Sequence, residues 1–114
     1  MDIYHIWCDL RPGVKDLEFT DAANEYLGTL AKAGQLRSYR ITRRKLGLGG
    51  PGDFHLMLEF DDLAQLDNAF RTVATRSGPV EGFHQAVNSR VTNVSFALYR
   101  DFPDEFRDQG QEAF

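Results

Sequence analysis

The chain has one cysteine, Cys8, so it can form neither an intrachain disulfide nor a multi-cysteine metal site. It has no apolar run near the roughly 18 residues that a membrane span needs. It opens from Met1-Asp2 into a β-rich run, without the basic and apolar regions of a secretory leader. Excess positive charge is also missing: 17 acidic residues outweigh 13 basic ones, giving a net charge of −4. A nucleic-acid or anionic-membrane partner is therefore disfavoured, and the expectation is a cytoplasmic protein. At 114 residues there is room for one domain and a real core.

What is present is periodicity. Phe54-His55-Leu56-Met57-Leu58-Glu59-Phe60 alternates strictly, with large apolar residues at every even position, which predicts a strand with one buried face. Ile3 to Leu10 predicts another, ended by Arg11-Pro12-Gly13. From Leu17 the spacing turns helical through Phe19, Ala23, Leu27 and Leu30, with Asp16 as N-cap and Gly34 as stop. Ser38 to Leu46 predicts a basic strand, and the glycine-rich stretch 47–52 predicts a flexible hairpin. Asp61 or Asp62 is placed to cap a second helix; with Asp62 as the cap, Gln65 completes a capping box. Pro79 suits the start of a short further helix, and Val94 to Tyr99 predicts the last strand.

The order is β-α-β-β-α-β, which predicts the α+β ferredoxin-like arrangement: a four-stranded antiparallel sheet with its helices on one face. The domain is expected over residues 1–102, with an acidic tail over 103–114, and Phe102, Phe106 and Phe114 are expected to form an arm that docks on its own or the partner subunit. Parity places Ile6, Cys8, Ile41, Leu56, Leu58, Phe96 and Leu98 under the helices. The opposite face then carries His5, Trp7, Arg40, Thr42, Arg44, His55, Met57, Glu59, Ala97 and Tyr99. An uncovered face holding Trp7, Met57 and Tyr99 predicts packing against a second copy.

In IYHIWCDL, GLGGPGDFHLMLEF and GFHQAVNSRV the chain resembles the dimeric α+β barrel superfamily over roughly residues 3–100, closest to a bacterial family of uncharacterised function. That resemblance implies a sheet-to-sheet homodimer. The superfamily includes cofactor-free quinol oxygenases, haem-degrading oxygenases, lactone isomerases and members with no known activity. The haem-degrading type implies an Asn on the first strand; here that strand offers His5 and Trp7 and no Asn, which speaks against haem degradation.

The expected ligand-binding set is His5, Trp7, Arg40, Arg44, His55, Glu59 and Tyr99. Trp and Tyr supply flat walls, His and Glu exchange protons, and Arg fixes an anion. No cofactor and no metal are expected, because the His and Glu candidates of the open face come one per strand position. The glycine stretch lacks the Lys-Ser/Thr of a phosphate loop and leads into a strand rather than a helix. His84 is expected to face solvent or to line the cavity mouth. The reading is a small-molecule-binding homodimer; the alternatives are a cofactor-independent monooxygenase or isomerase, and a structural dimer without ligand.

Overall fold

The computed structural model describes residues 1–76 and 78–104. The chain runs β1 (Asp2–Leu10), α1 (Asp16–Lys32), β2 (Ser38–Arg43), β3 (Phe54–Phe60), α2 (Leu63–Ala74), α3 (Gly78–Asn88) and β4 (Val91–Arg100). The four strands form one antiparallel sheet in the order β2-β3-β1-β4, with helices on one face. This is the ferredoxin-like arrangement expected from the alternation. Among the described residues no helix is long and apolar enough to cross a membrane. Of the expected arm residues, Phe102 is 74 % exposed, and Phe106 and Phe114 lie outside the described residues.

Burial follows the period of two. Along β3, Phe54, Leu56, Leu58 and Phe60 are buried while His55, Met57 and Glu59 are half-buried on the other side. From α1, Phe19, Ala23, Leu27 and Leu30 pack down on them, and Phe19 meets Phe54 with ring centroids 5.0 Å apart. Cys8 is buried in the same core, and burial pushes its thiol up to about 11, so it stays protonated and inert.

Local signals hold at α2, where Asp62 caps the helix by accepting from the Gln65 backbone N–H at 2.8 Å. The Gln65 side chain in turn accepts from the Asp61 backbone N–H, one residue earlier than an ideal capping box. They fail at α1, where Lys15, not Asp16, occupies the cap position. Asp16 turns its carboxylate to the Leu17 N–H and to Arg43.

Two strand boundaries also differ from the sequence reading. β2 ends at Arg43, because Leu46 and Gly47 adopt positive φ of 58° and 63° and turn the chain out of the sheet. β4 begins three residues before the expected Val94. A bulge sits between the pairs Trp7–Ser95 and Asp9–Thr92, with Asn93 at φ 53°. The extra residue lets both Val91 and Phe96 point to the helix side despite opposite parity. Alternation breaks there, which hid the strand's beginning.

At Gly52 only glycine fits. A side chain there would approach the Cys8 backbone N and O to 2.9 Å. The β2–β3 hairpin is thus pinned at its base to β1, aided by the Asp53 N–H donating to the Asp9 carboxylate at 2.9 Å. That bond, and then one from the Asn93 side chain, hold the Asp9 carboxyl below the usual range.

Candidate functional site

Cross-strand pairing decides which side chains share the face without helices. Trp7 stands opposite His55 and Ser95, His5 opposite Met57 and Ala97, and Ile3 opposite Glu59 and Tyr99. On β2, Thr42 faces His55, Arg40 faces Met57, and Ser38 faces Glu59. Residues directly opposite in a ladder project to the same side, so this register joins His5, Trp7, Arg40, His55, Glu59 and Tyr99 on one open face.

The centre of that face is a continuous run of rings. Trp7 stacks on His55 at 4.7 Å, His55 on His5 at 5.0 Å, and Tyr99 meets His5 edge-on at 4.8 Å. His5 Nδ1 and His55 Nε2 are 2.8 Å apart, so one ring donates and the other accepts. Glu59 does not join them. It lies four residues from His55, about 13 Å along the strand, and accepts from the Ser38 hydroxyl at 2.6 Å. Arg44 lies beyond the end of β2 and is paired with Asp53 at 2.6 Å. Arg40 is exposed and, among the described residues, has no ion pair. Trp7, Arg44 and His55 do line one small pocket of about 190 Å³ under the glycine hairpin. The seven expected residues therefore divide into a ring cluster (His5, Trp7, His55, Tyr99), a hairpin pocket that adds Arg44, and Glu59 and Arg40 standing apart from both. Among the described residues, no group of three or more His, Cys, Asp or Glu could hold a metal ion.

Both histidines are held below the ordinary value, His5 by burial, and His55 by burial and then by the charge of His5. A lowered base binds fewer protons folded than unfolded between its depressed value and about 6.5. Stability is therefore complete above about pH 6.5 and declines as pH falls through that window. Urea unfolding at about pH 5.5 should show a lower midpoint than at about pH 7.5, and His5→Gln/His55→Gln should flatten the difference. An identical pH response in that double variant would assign it to other groups.

A larger space lies on the helix side, where sequence reasoning did not look. A cavity of about 410 Å³ opens between the sheet and the helices. Tyr4, Ile6 and Leu58 form its floor, Phe70 and Val73 come from α2, His84 and Val87 from α3, and Tyr26 from α1. It exists because the helices cover the sheet incompletely: on the helix side of β4, Phe96 is 59 % and Leu98 52 % exposed. These two were expected under the helices; their side is right and their cover is missing. Tyr4 ties the wall together, stacking on Phe96 at 5.7 Å and meeting Phe70 edge-on at 5.2 Å.

The polar groups of the lining are Tyr4, Tyr26, His84, Arg76 and Asn88. The Tyr26 and His84 rings lie 5.6 Å apart. Burial first, then the Glu81 carboxylate and Tyr4, push the Tyr26 hydroxyl up to about 12, so it remains a donor. His84, expected to face solvent or to line the cavity mouth, is half-buried, and among the described residues its Nδ1 is buried with no hydrogen-bond partner, as is one Glu81 oxygen. Its position in the helix, one residue after Phe83 and three before Val87, was the only sequence signal for this wall.

The whole chain, residues 1–114, matches the model of a family of unknown function, DUF6614. The chain belongs to that family. No curated protein matches it. Among solved structures it is similar to the cofactor-independent oxygenase SnoaB from Streptomyces nogalater, with a TM-score of 0.66 at 8 % identity, covering 93 % of this chain and 98 % of that one. It is similar to the Arabidopsis thaliana protein At3g17210, with a TM-score of 0.71 at 9 % identity, covering 93 % and 100 %. A dimeric ferredoxin-like protein of unknown function from Jannaschia sp. CCS1 matches with a TM-score of 0.60 at 14 % identity, covering 89 % and 100 %. At such identities the likeness is one of fold, and it agrees with the dimeric α+β barrel resemblance.

Proposed function

We propose that this protein is a homodimer joined through its open sheet face, and that each protomer binds a small, largely apolar molecule in the helix-side cavity. The observation that carries the reading is the cavity itself. At about 410 Å³ it falls within the range of small-molecule sites, with hydrophobic and aromatic walls and a few polar groups. Tyr26 supplies a hydroxyl that stays protonated, and Tyr4 and Phe70 supply flat faces for an aromatic ring. Dimeric fold neighbours support the sheet-to-sheet half of the proposal.

A second reading rests on the pocket under the hairpin. Trp7, Arg44 and His55 line about 190 Å³ there, small for a site by itself, and a second copy stacked on the open face would enclose it further. On this reading His5, Trp7, Arg40, Arg44, His55, Glu59 and Tyr99 surround a ligand between protomers.

One titration separates the two. Binding of 1-naphthol is followed in the natural protein, in Val87→Trp, which fills the helix-side cavity, and in Trp7→Ala/His55→Ala. The expected result is a loss of affinity of about tenfold or more in Val87→Trp alone. Loss in the open-face double variant alone favours the second reading. No binding to the natural protein contradicts both and leaves a structural dimer. Turnover of a quinol or lactone panel, suppressed by Val87→Trp, would make the site catalytic; the fold neighbours include a cofactor-independent oxygenase.

A further inference from the structure

Two apolar features stand uncovered at opposite edges of the sheet. Beyond β2, the hairpin holds Leu46 90 % and Leu48 67 % exposed. Leu46 sits in the left-handed region at φ 58°, a conformation that a branched aliphatic residue adopts at a cost of about 1–2 kcal/mol. The Leu48 N–H donates to the Lys45 carbonyl at 3.2 Å and closes the turn. The two leucines are thus presented on a formed turn, outside their own core. At the far edge, Phe96 and Leu98 of β4 form an exposed apolar strip on the helix side, and Val94 and Phe96 line the mouth of the cavity.

We propose that the hairpin of one protomer docks on the β4 strip of a second copy and closes the mouth of that copy's cavity. The proposal rests on the sheet-to-sheet reading above. The sheet order is β2-β3-β1-β4. Stacking two such sheets about a two-fold axis parallel to the strands lays β2 of one over β4 of the other. Stacked sheets lie about 10 Å apart. The connection between Arg43 and Phe54 is ten residues, so its tip can extend up to about 17 Å from the strand ends. At full extension that reach rounds the β4 edge from the open side to the helix side, so docking draws the Lys45–Leu48 turn open. A side chain added at Gly49 or Gly50 would meet nothing within 4 Å, so there is space for the hairpin to move. Each ligand site is then completed by leucines from the other subunit, and dimerisation and ligand affinity are linked.

Site-directed cross-linking tests this in the full chain. One preparation carries Leu48→Cys, another Phe96→Cys; the natural Cys8 is buried and stays silent. A short bis-maleimide should give a covalent dimer in the mixture and in neither preparation alone, because 48 and 96 lie at opposite edges of one chain. Leu46→Ser/Leu48→Ser should fold normally and raise the dimer dissociation constant about tenfold or more. A dimer by sedimentation that fails to cross-link overturns the docking and leaves the sheet-to-sheet reading standing. A monomer by sedimentation overturns both.

Discussion

Trp7→Glu should leave a folded monomer. Trp7 lies at the centre of the open face, stacked on His55 and flanked by His5, and is only half-buried by its own chain. Against a second copy it would lose its remaining water-accessible surface, and aromatic residues of this size dominate interface energetics. A carboxylate in its place would be desolvated without a partner, which costs several kcal/mol. In a two-fold interface each substitution is present twice. The dimer dissociation constant should rise at least about 100-fold, equivalent to ~3 kcal/mol, while far-ultraviolet circular dichroism stays unchanged. Sedimentation equilibrium checks it, and an unaltered dimer would move the interface to another surface.

Phe19→Ala should cost about 3–5 kcal/mol of stability. Phe19 is fully buried on α1, and its ring lies against Phe54, the residue that opens β3. Removing it leaves a cavity at the junction of the helix and the central strand, walled by groups that backbone bonding holds in place. Domains of this size have a total of about 5–15 kcal/mol, so the variant should approach unfolding at physiological temperature. Urea titration measures the change. A loss below about 1 kcal/mol would show that this junction repacks.

The sequence was most legible where one local rule acted alone. The strand Phe54–Phe60 was read residue for residue because its inner face is wholly covered and its outer face is not. The open face was legible for the same reason, since parity needs no knowledge of packing. Legibility fell where tertiary geometry intervenes. Asn93 carries the bulge that breaks the period of β4, and nothing in a polar residue between Thr92 and Val94 announces it. Leu46 reads as a strand residue and instead occupies a left-handed turn. The helix-side cavity was invisible, because it depends on how far α2 and α3 reach over β4, a matter of placement that no hydrophobic pattern encodes. His84, expected at solvent or at the mouth of an open-face cavity, lines this helix-side cavity instead. Glu59 shared the right face with His55 yet stands about 13 Å away, a separation that face assignment alone does not reveal.

Trp7 is the chain's single tryptophan, so its fluorescence reports the open face and nothing else. Emission and acrylamide quenching are followed across a dilution series, alongside the mass from sedimentation. Stacking of two open faces predicts that, as the mass doubles, the emission shifts to the blue and quenching weakens in step. A mass that doubles while the emission and quenching of Trp7 stay constant, or a monomer throughout at micromolar concentration, would contradict it.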